Sequence, residues 1–211
     1  MNDIPFFSTS RRQLRRELRR RRRALSARQQ REASQALCHR LRCLPAVWRA
    51  RRVALYLPND GEIDPTPLID WFHRRRVEVY LPVLRPLEHN CLWFVRYHRH
   101  TPMRRNRFGI HEPDTRYGAH RARRRPAWVL DLILLPLVGF DAQGQRLGMG
   151  GGFYDRSLAF TRQRRPRPTL IGVAHTCQEV EHLPAADWDV PLDAIVSDTQ
   201  TLWPANDKEK S

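Results

Sequence analysis

Lysine is almost missing from this chain of 211 residues. It occurs only at Lys208 and Lys210, so the 38 basic residues are nearly all arginine. With 22 acidic residues the formal charge is +16. Such a balance suits nucleic acid or an anionic small molecule, and it also arises where a genome codes arginine in place of lysine. The arginines spread along the chain rather than forming one motif, which disfavours a dedicated nucleic-acid module. Cysteine is scarce too, standing only at Cys38, Cys43, Cys91 and Cys177. No pair has CxxC spacing, which disfavours zinc and dithiol-redox motifs, and reduced thiols in a cytoplasmic protein are expected. No apolar run is long enough for a membrane span. Internal repeats and composition breaks are absent. One domain over residues 10–204 is expected, with a disordered segment 1–9 and a mobile tail 205–211. An apolar content of 41% is enough for a core at this length.

What the chain does have is concentrated between Val129 and Ala159. Leu132-Ile133-Leu134-Leu135 predicts a strand buried on both faces. Asp141 to Gly144 is a turn signal. Arg146-Leu147-Gly148-Met149-Gly150-Gly151-Gly152 follows, and Phe153-Tyr154-Asp155 opens a predicted helix running to about Phe160. Strand, glycine-rich loop and helix start, in that order, make a phosphate-binding arrangement, because glycines let backbone N–H groups approach an anion. It is not a Walker A loop, since no Gly-Lys-Ser/Thr follows, nor a dinucleotide fingerprint, since Phe153 stands where the third glycine is needed. Arg146 is placed to pair with phosphate, and Asp155 to hold Mg²⁺.

Elsewhere, Ser10 with Gln13 and Ser26 with Gln29 predict capping boxes for two helices. Nine of the thirteen residues Arg11 to Arg23 are arginine, most of them read as a solvated face. Val53 to Leu57 and Val77 to Leu81 predict strands flanking a helix begun by Pro65 or Pro67. That order implies a parallel sheet whose ligand loops lie at the carboxyl ends of strands. The acidic loop Asp60 to Asp64 falls at such an end. Cys91 to Tyr97 predicts a further strand, a candidate for the sheet edge, and residues 99–126 a long loop. Thr169 to Ala174 and Asp193 to Asp198 predict the last two strands. His175 reads as a packing residue rather than a base.

The segment RLGMGGGFYD, Arg146 to Asp155, preceded by LPLVGFDAQG, resembles the 5-formyltetrahydrofolate cyclo-ligase family. Four weaker pieces follow family order. They are the R-x-x-L-R-x-x-L pattern at Arg11 to Leu18, the loop Asn59 to Asp64, Arg107 to Pro113, and Gly172 to Cys177 leading to Trp188 through Val196. The resemblance begins inside the arginine-rich helix, which argues that this helix is part of the fold rather than a targeting presequence.

The resemblance implies a single three-layer α/β/α domain with a mostly parallel sheet, of the ribose-phosphate isomerase/CoA-transferase-like type, with basic helices at its start. It implies ATP- and Mg²⁺-dependent conversion of 5-formyltetrahydrofolate to 5,10-methenyltetrahydrofolate, releasing ADP and phosphate. Arg146 and Tyr154 are the implied catalytic residues. Arg11, Arg15, and the run Arg146, Leu147, Gly148, Met149, Gly150, Gly151, Gly152, Phe153, Tyr154 and Asp155 are implied for ATP. Leu57, Glu62, Phe108 and Tyr154 are implied for the folate. Asp155 and Asp189 are implied for Mg²⁺, with Asp193 a rival for the second. Two positions depart from the family's habit: arginine stands at Arg11, and glycine at Gly151, where lysine is common. A monomer is expected, acting on a folate whose polyglutamate tail suits Arg104, Arg105 or Arg107. The alternatives are a basic RNA-binding protein and another ATP- or sugar-phosphate enzyme of the same fold.

Overall fold

The computed structural model describes residues 10–85, 90–115, 124–184 and 186–204. The expectations for 1–9 and 205–211 lie outside the described residues. An eight-stranded sheet runs in the order β12-β11-β10-β7-β1-β2-β3-β6. Five strands at its centre are parallel: β11 (Ala194–Val196), β10 (Thr169–Val173), β7 (Leu132–Pro136), β1 (Arg52–Ala54) and β2 (Glu78–Leu84). Three antiparallel strands finish the edges: β12 (Thr201–Leu202) on one side, β3 (Leu92–Arg96) and β6 (Arg124–Arg125) on the other.

The central strand is the apolar run the sequence marks. Leu132 to Leu135 are all buried. Strand alternation sends Leu132 and Leu134 to one face, with Val53, Val79, Ile171 and Val196. It sends Ile133 and Leu135 to the other, with Ala54, Tyr80, Leu170 and Ile195. Helices α2 (Ala27–Arg42), α3 (Pro45–Arg49) and α4 (Pro67–Arg74) cover the first face. The second is covered by a 3₁₀ turn at Ala127–Val129, helix α5 (Phe153–Leu158) and the 3₁₀ turn that extends it to Arg162. These are the three layers expected.

Both capping boxes form, at Ser10 and Ser26, and Pro67 starts α4. Four expectations need correction. The first strand ends at Ala54, so Leu57 belongs to the loop beyond it. β3 is not an edge, because β6 pairs with it. The segment 99–126 holds structure of its own, a hairpin of β4 (Met103–Arg105) with β5 (His111–Pro113), and then β6. The last strand is β12, not the one after Asp193. The masked periodicity has a cause: these pieces are two or three residues long, too short to show alternation.

Helix α1 (Arg11–Arg23) belongs to no layer. It lies across the carboxyl ends of the strands, over a second hairpin of β8 (Gly139–Phe140) and β9 (Arg146–Leu147). Leu18, Val138, Leu147 and Leu183 form a small separate core beneath it, with Leu14 packed alongside. Gly139 permits the close approach, since a Cβ there would stand 2.5 Å from Leu18 Cδ1.

Candidate active site

The site is assembled by α1 and the loops after β1, β7 and β10. The inner face of α1 carries Arg11, Arg15, Arg19 and Arg22, each one turn from the next. Arg22 is fully buried; its Nε donates to the Asp60 carbonyl oxygen at 2.9 Å and its Nη2 to the Asp60 carboxylate at 2.9 Å. Its Nη1 reaches the Leu137 carbonyl at 3.4 Å. Arg19 joins Asp60 at 2.7 Å, and Arg23 pairs with it as well. Burial alone would raise the Asp60 carboxyl, but the hydrogen bonds from Arg19, Arg23 and Arg22 outweigh it and lower its pKa. The solvated-face expectation therefore holds for Arg12, Arg16, Arg20 and Arg21 and fails for the inner four and for Arg23, which is paired with Asp60.

The loop tied down by Arg22 presents Glu62. Its carboxylate accepts from Asn59 N–H at 3.1 Å and stands 3.7 Å from Arg22 Nη2. Burial pushes its carboxyl up to about 7, against the nearby Arg22 charge. Tyr154 and Tyr56 both feel the Glu62 charge, and burial raises both phenols. Tyr56 is buried and donates to the Ile63 carbonyl at 2.5 Å, fixing the loop from below. Leu57 is half-buried against the first core face.

The glycine-rich loop follows β9. Gly150 and Gly152 take positive φ of +92° and +66°, the second as the N-cap of α5. Arg15 Nε donates to the Gly148 carbonyl at 2.8 Å, and Arg156 Nη1 to the Gly151 carbonyl at 2.7 Å. Both arginines thus turn the carbonyls aside, and among the described residues the N–H groups of Gly148 to Gly152 have no acceptor. Met149 is 52% exposed at the tip. Leu147 is a core residue, buried in the cluster beneath α1 with its carbonyl accepting from Val138 N–H at 2.7 Å, so its side chain is not available to a nucleotide. Phe108, exposed on the turn between β4 and β5, meets Phe153 edge-on at 5.8 Å. The hairpin thereby reaches the loop from the far side, and Phe108 is not a core residue.

Two ion pairs close the group. Arg146, 8% exposed, pairs with Asp155 Oδ1, which also accepts Val190 N–H at 3.3 Å. Arg11 forks onto Asp189 Oδ2 with both Nη atoms at 2.9 Å. Burial lowers the Arg146 guanidinium's pKa, and both Asp155 and Asp189 oppose this, so the two acids face one cation. Arg162 braces the segment by donating to the Asp189 carbonyl at 3.0 Å. Asp193 lies elsewhere. It precedes β11, pairs with Arg167 at 2.5 Å and accepts Leu170 N–H at 2.7 Å, at the amino ends of the strands. It is a strand-end cap, not a second site carboxylate. His175 is 1% exposed, and burial lowers its imidazole.

The expected residues Arg11, Arg15, Glu62, Arg146, Tyr154, Asp155 and Asp189 therefore converge. Sequence reasoning missed Arg22, Arg19 and Asp60. The signal was present, since Arg22 falls eleven residues after Arg11 on one helical face, but a run of nine arginines hides it. In α1, Arg19 and Arg22 are committed to Asp60, while Arg20 and Arg21 pair with Glu17 on the outer face.

Comparison with known proteins agrees with this arrangement. The 5-formyltetrahydrofolate cyclo-ligase family model matches residues 7–198. The 5-formyltetrahydrofolate cyclo-ligase of Escherichia coli is 44% identical over 188 residues, covering 88% of this chain and 98% of that protein. That of Haemophilus influenzae is 43% identical over 182 residues, covering 86% and 94%. Among solved structures, Aquifex aeolicus 5,10-methenyltetrahydrofolate synthetase superposes with a TM-score of 0.76 at 33% identity, covering 93% of each chain. A 5,10-methenyltetrahydrofolate synthetase from Mycoplasma pneumoniae, at 24% identity, shares the fold with a TM-score of 0.69.

Proposed function

The chain belongs to the 5-formyltetrahydrofolate cyclo-ligase family, and from that premise we propose that it converts 5-formyltetrahydrofolate to 5,10-methenyltetrahydrofolate with MgATP as co-substrate. It is an enzyme of the ligase type acting in folate one-carbon metabolism. The observation that carries the finer proposal is the juxtaposition of the glycine-rich loop, flanked by Arg15 and Arg146, with the half-buried Glu62 and Tyr154, whose phenol feels the Glu62 charge.

A formamide carbonyl is a poor electrophile because its nitrogen donates into it. Transfer of the γ-phosphoryl group to the formyl oxygen, with ADP leaving, makes that oxygen a leaving group. N10 of the folate then attacks the formyl carbon, and loss of phosphate with the N10 proton leaves the methenyl cation. Such a reaction needs positioning and charge neutralisation, not a covalent nucleophile. The uncommitted N–H groups of Gly148 to Gly152, with Arg146, Arg15 and Arg11, are suited to the triphosphate. Glu62 is suited to accept from the pterin's amino and ring N–H groups. Tyr154 and Phe108 are the aromatic faces offered to the rings, and the phenol of Tyr154 stays protonated beside Glu62. Leu57 lines the folate side from the β1 loop.

Asp155 and Asp189 fit a magnesium ion. Both are hard oxygen donors, and both face the Arg146 guanidinium. Among the described residues no group of three or more His, Cys, Asp or Glu gathers, and Mg²⁺ is commonly held by one or two carboxylates with phosphate oxygens and water. When bound, the ion would supply charge neutralisation at the phosphates. For a polyglutamate tail, Arg104 is engaged by Glu112 at 2.8 Å, leaving Arg105 and Arg107 as the proposed contacts.

The test is the growth of methenyltetrahydrofolate absorbance from 5-formyltetrahydrofolate. Growth that requires both ATP and Mg²⁺ supports the proposal; purified, folded protein without it refutes it.

A further inference from the structure

Arginine collects a second time, at the opposite ends of the strands. Where β1 and β2 begin, one open hollow of about 660 Å³ is lined by Trp48, Arg49, Arg51, Arg52, Arg75 and Arg76. Three segments build it: the end of α3, the link into β1 and the turn from α4 into β2. The parallel pairing of Arg52 with Glu78, and the 2.8 Å bond from Glu78 N–H to the Arg51 carbonyl, hold them together.

The acids beside this group neutralise only Arg52. Glu78, which also lines the hollow, is engaged by Arg96 at 2.9 Å and by the Tyr80 hydroxyl at 2.7 Å. Asp131 accepts the backbone N–H groups of Arg51 and Arg52 at 3.0 and 2.8 Å, and it pairs with the Arg52 guanidinium at 3.2 Å. Arg49, Arg51 and Arg76 have no side-chain partner among the described residues.

Arg75 is fixed in place. Its guanidinium lies 4.1 Å from the Trp48 ring centroid and 4.5 Å from that of Trp71, and Nη2 donates to the Trp48 carbonyl at 2.9 Å. Its Nη1 is buried without an acceptor among the described residues. Arg76 adopts φ +58°, a conformation that costs an ordinary L-residue about 1–2 kcal/mol and that glycine or asparagine takes more readily. Arginine at this turn keeps a cation at the rim of the hollow despite that cost.

We propose that this hollow binds a compact, multiply charged phosphate anion, of the di- or triphosphate class. Guanidinium forks match phosphate oxygens in bidentate geometry. The volume suits a ligand of nucleotide size, and Trp48, 54% exposed, gives it an aromatic wall. The uncompensated charges surround one hollow rather than forming a track, which favours a compact anion over a nucleic-acid strand. Because the hollow lies at the amino ends of the strands, its ligand is separate from the nucleotide proposed at the glycine-rich loop.

The experiment follows the Trp48 indole N–H cross-peak in nitrogen-15 NMR spectra, assigned with Trp48→Phe. The titrant is inorganic tripolyphosphate at constant ionic strength, and the background is Arg146→Ala, to weaken the other phosphate site. A saturable shift is expected, with affinity about tenfold or more weaker in Arg51→Ser/Arg76→Asn. Asparagine tolerates the left-handed turn, and Arg49→Ser, on the exposed rim, is the second variant should the first unfold. The proposal is overturned if no saturable shift appears, if sodium chloride reproduces it, or if the variants bind as the parent does. Tighter saturation of the same cross-peak by single-stranded RNA would also overturn it, in favour of a nucleic-acid surface.

Discussion

Arg22 on α1 grips Asp60 in the loop after β1 at two points, its carbonyl and its carboxylate, with no part of the guanidinium side chain exposed. The same side chain touches the Leu137 carbonyl in the segment after β7. One arginine therefore ties a helix that belongs to no layer to two strand ends at once. It also sets the height of Glu62, two residues beyond Asp60 in the same loop.

Removing this tie leaves Asp60 to Arg19 and Arg23, and leaves the Leu137 carbonyl to Gln178 Nε2 alone. Losing a buried, charge-assisted set of hydrogen bonds whose acceptors keep other partners costs about 1–3 kcal/mol. Arg22→Ala is expected to lose stability on that scale in urea unfolding. Arg22→Lys should recover only part, since one ammonium cannot serve three acceptors in fixed directions. An unchanged unfolding midpoint in Arg22→Ala would show that α1 is held by Leu18 packing instead.

Arg146 and Asp155 are expected to fail differently when mutated. Arg146→Ala removes a nearly buried cation from the proposed phosphate cradle and should lower kcat/KM for ATP by roughly 10²–10³-fold, the scale seen when one aimed charge-stabilising donor is removed. Asp155→Asn keeps the shape and should chiefly raise the Mg²⁺ concentration needed for half-maximal rate. Steady-state kinetics with ATP and Mg²⁺ varied independently separate the two. Equal sensitivity of both variants to both ligands contradicts the assigned roles.

Much of this was legible in the residues. The double-faced burial of Leu132 to Leu135 follows from an unbroken apolar run, and the capping boxes from Ser10 and Ser26. The glycine-rich segment and its flanking Arg146 and Asp155 stood out because few residue types build such a loop. The role of α1 was not legible. Arginine is both the commonest solvated residue here and the residue that anchors the site, so composition could not separate Arg22 from Arg21. Only tertiary contact with Asp60 does. The hairpins after β3 and β7 were hidden by their brevity, and Asp193 looked like a site acid until the parallel register placed it at the wrong ends of β10 and β11.

Gly151 sits inside the glycine-rich loop, and its surroundings set what any side chain would meet. A Cβ there would lie 2.8 Å from the Phe153 ring, a clash of the kind that costs about 1–3 kcal/mol if nothing yields. Gly151→Ala is expected to lower the unfolding midpoint and raise KM for ATP. Phe153→Leu in the same chain should relieve most of that loss, so the two changes will be non-additive. Additive effects in the double-mutant cycle would mean that the loop, and not the ring, gives way.

Glu62 sets a pH dependence whose sign follows from its burial. Its carboxyl is pushed up to about 7 in the fold from an ordinary value of 4.5, so the folded state holds the proton more tightly than the unfolded chain. Stability from this group is complete below pH 4.5, falls as pH rises from 4.5 to 7, and is level above. The total is about 3 kcal/mol. Glu62→Gln cannot ionise, and its amide oxygen can still accept from Asn59 N–H. The variant should therefore gain on the parent by about 3 kcal/mol between pH 4.5 and 8, read from urea unfolding at both values. Folate binding should run the other way. The carboxylate is the proposed acceptor for the pterin, so the parent's folate affinity should rise with pH through 7, while Glu62→Gln binds weakly and without pH dependence from 6 to 8. A constant stability gap between the two proteins would refute the raised carboxyl. A pH-independent folate affinity in the parent would refute its part in binding.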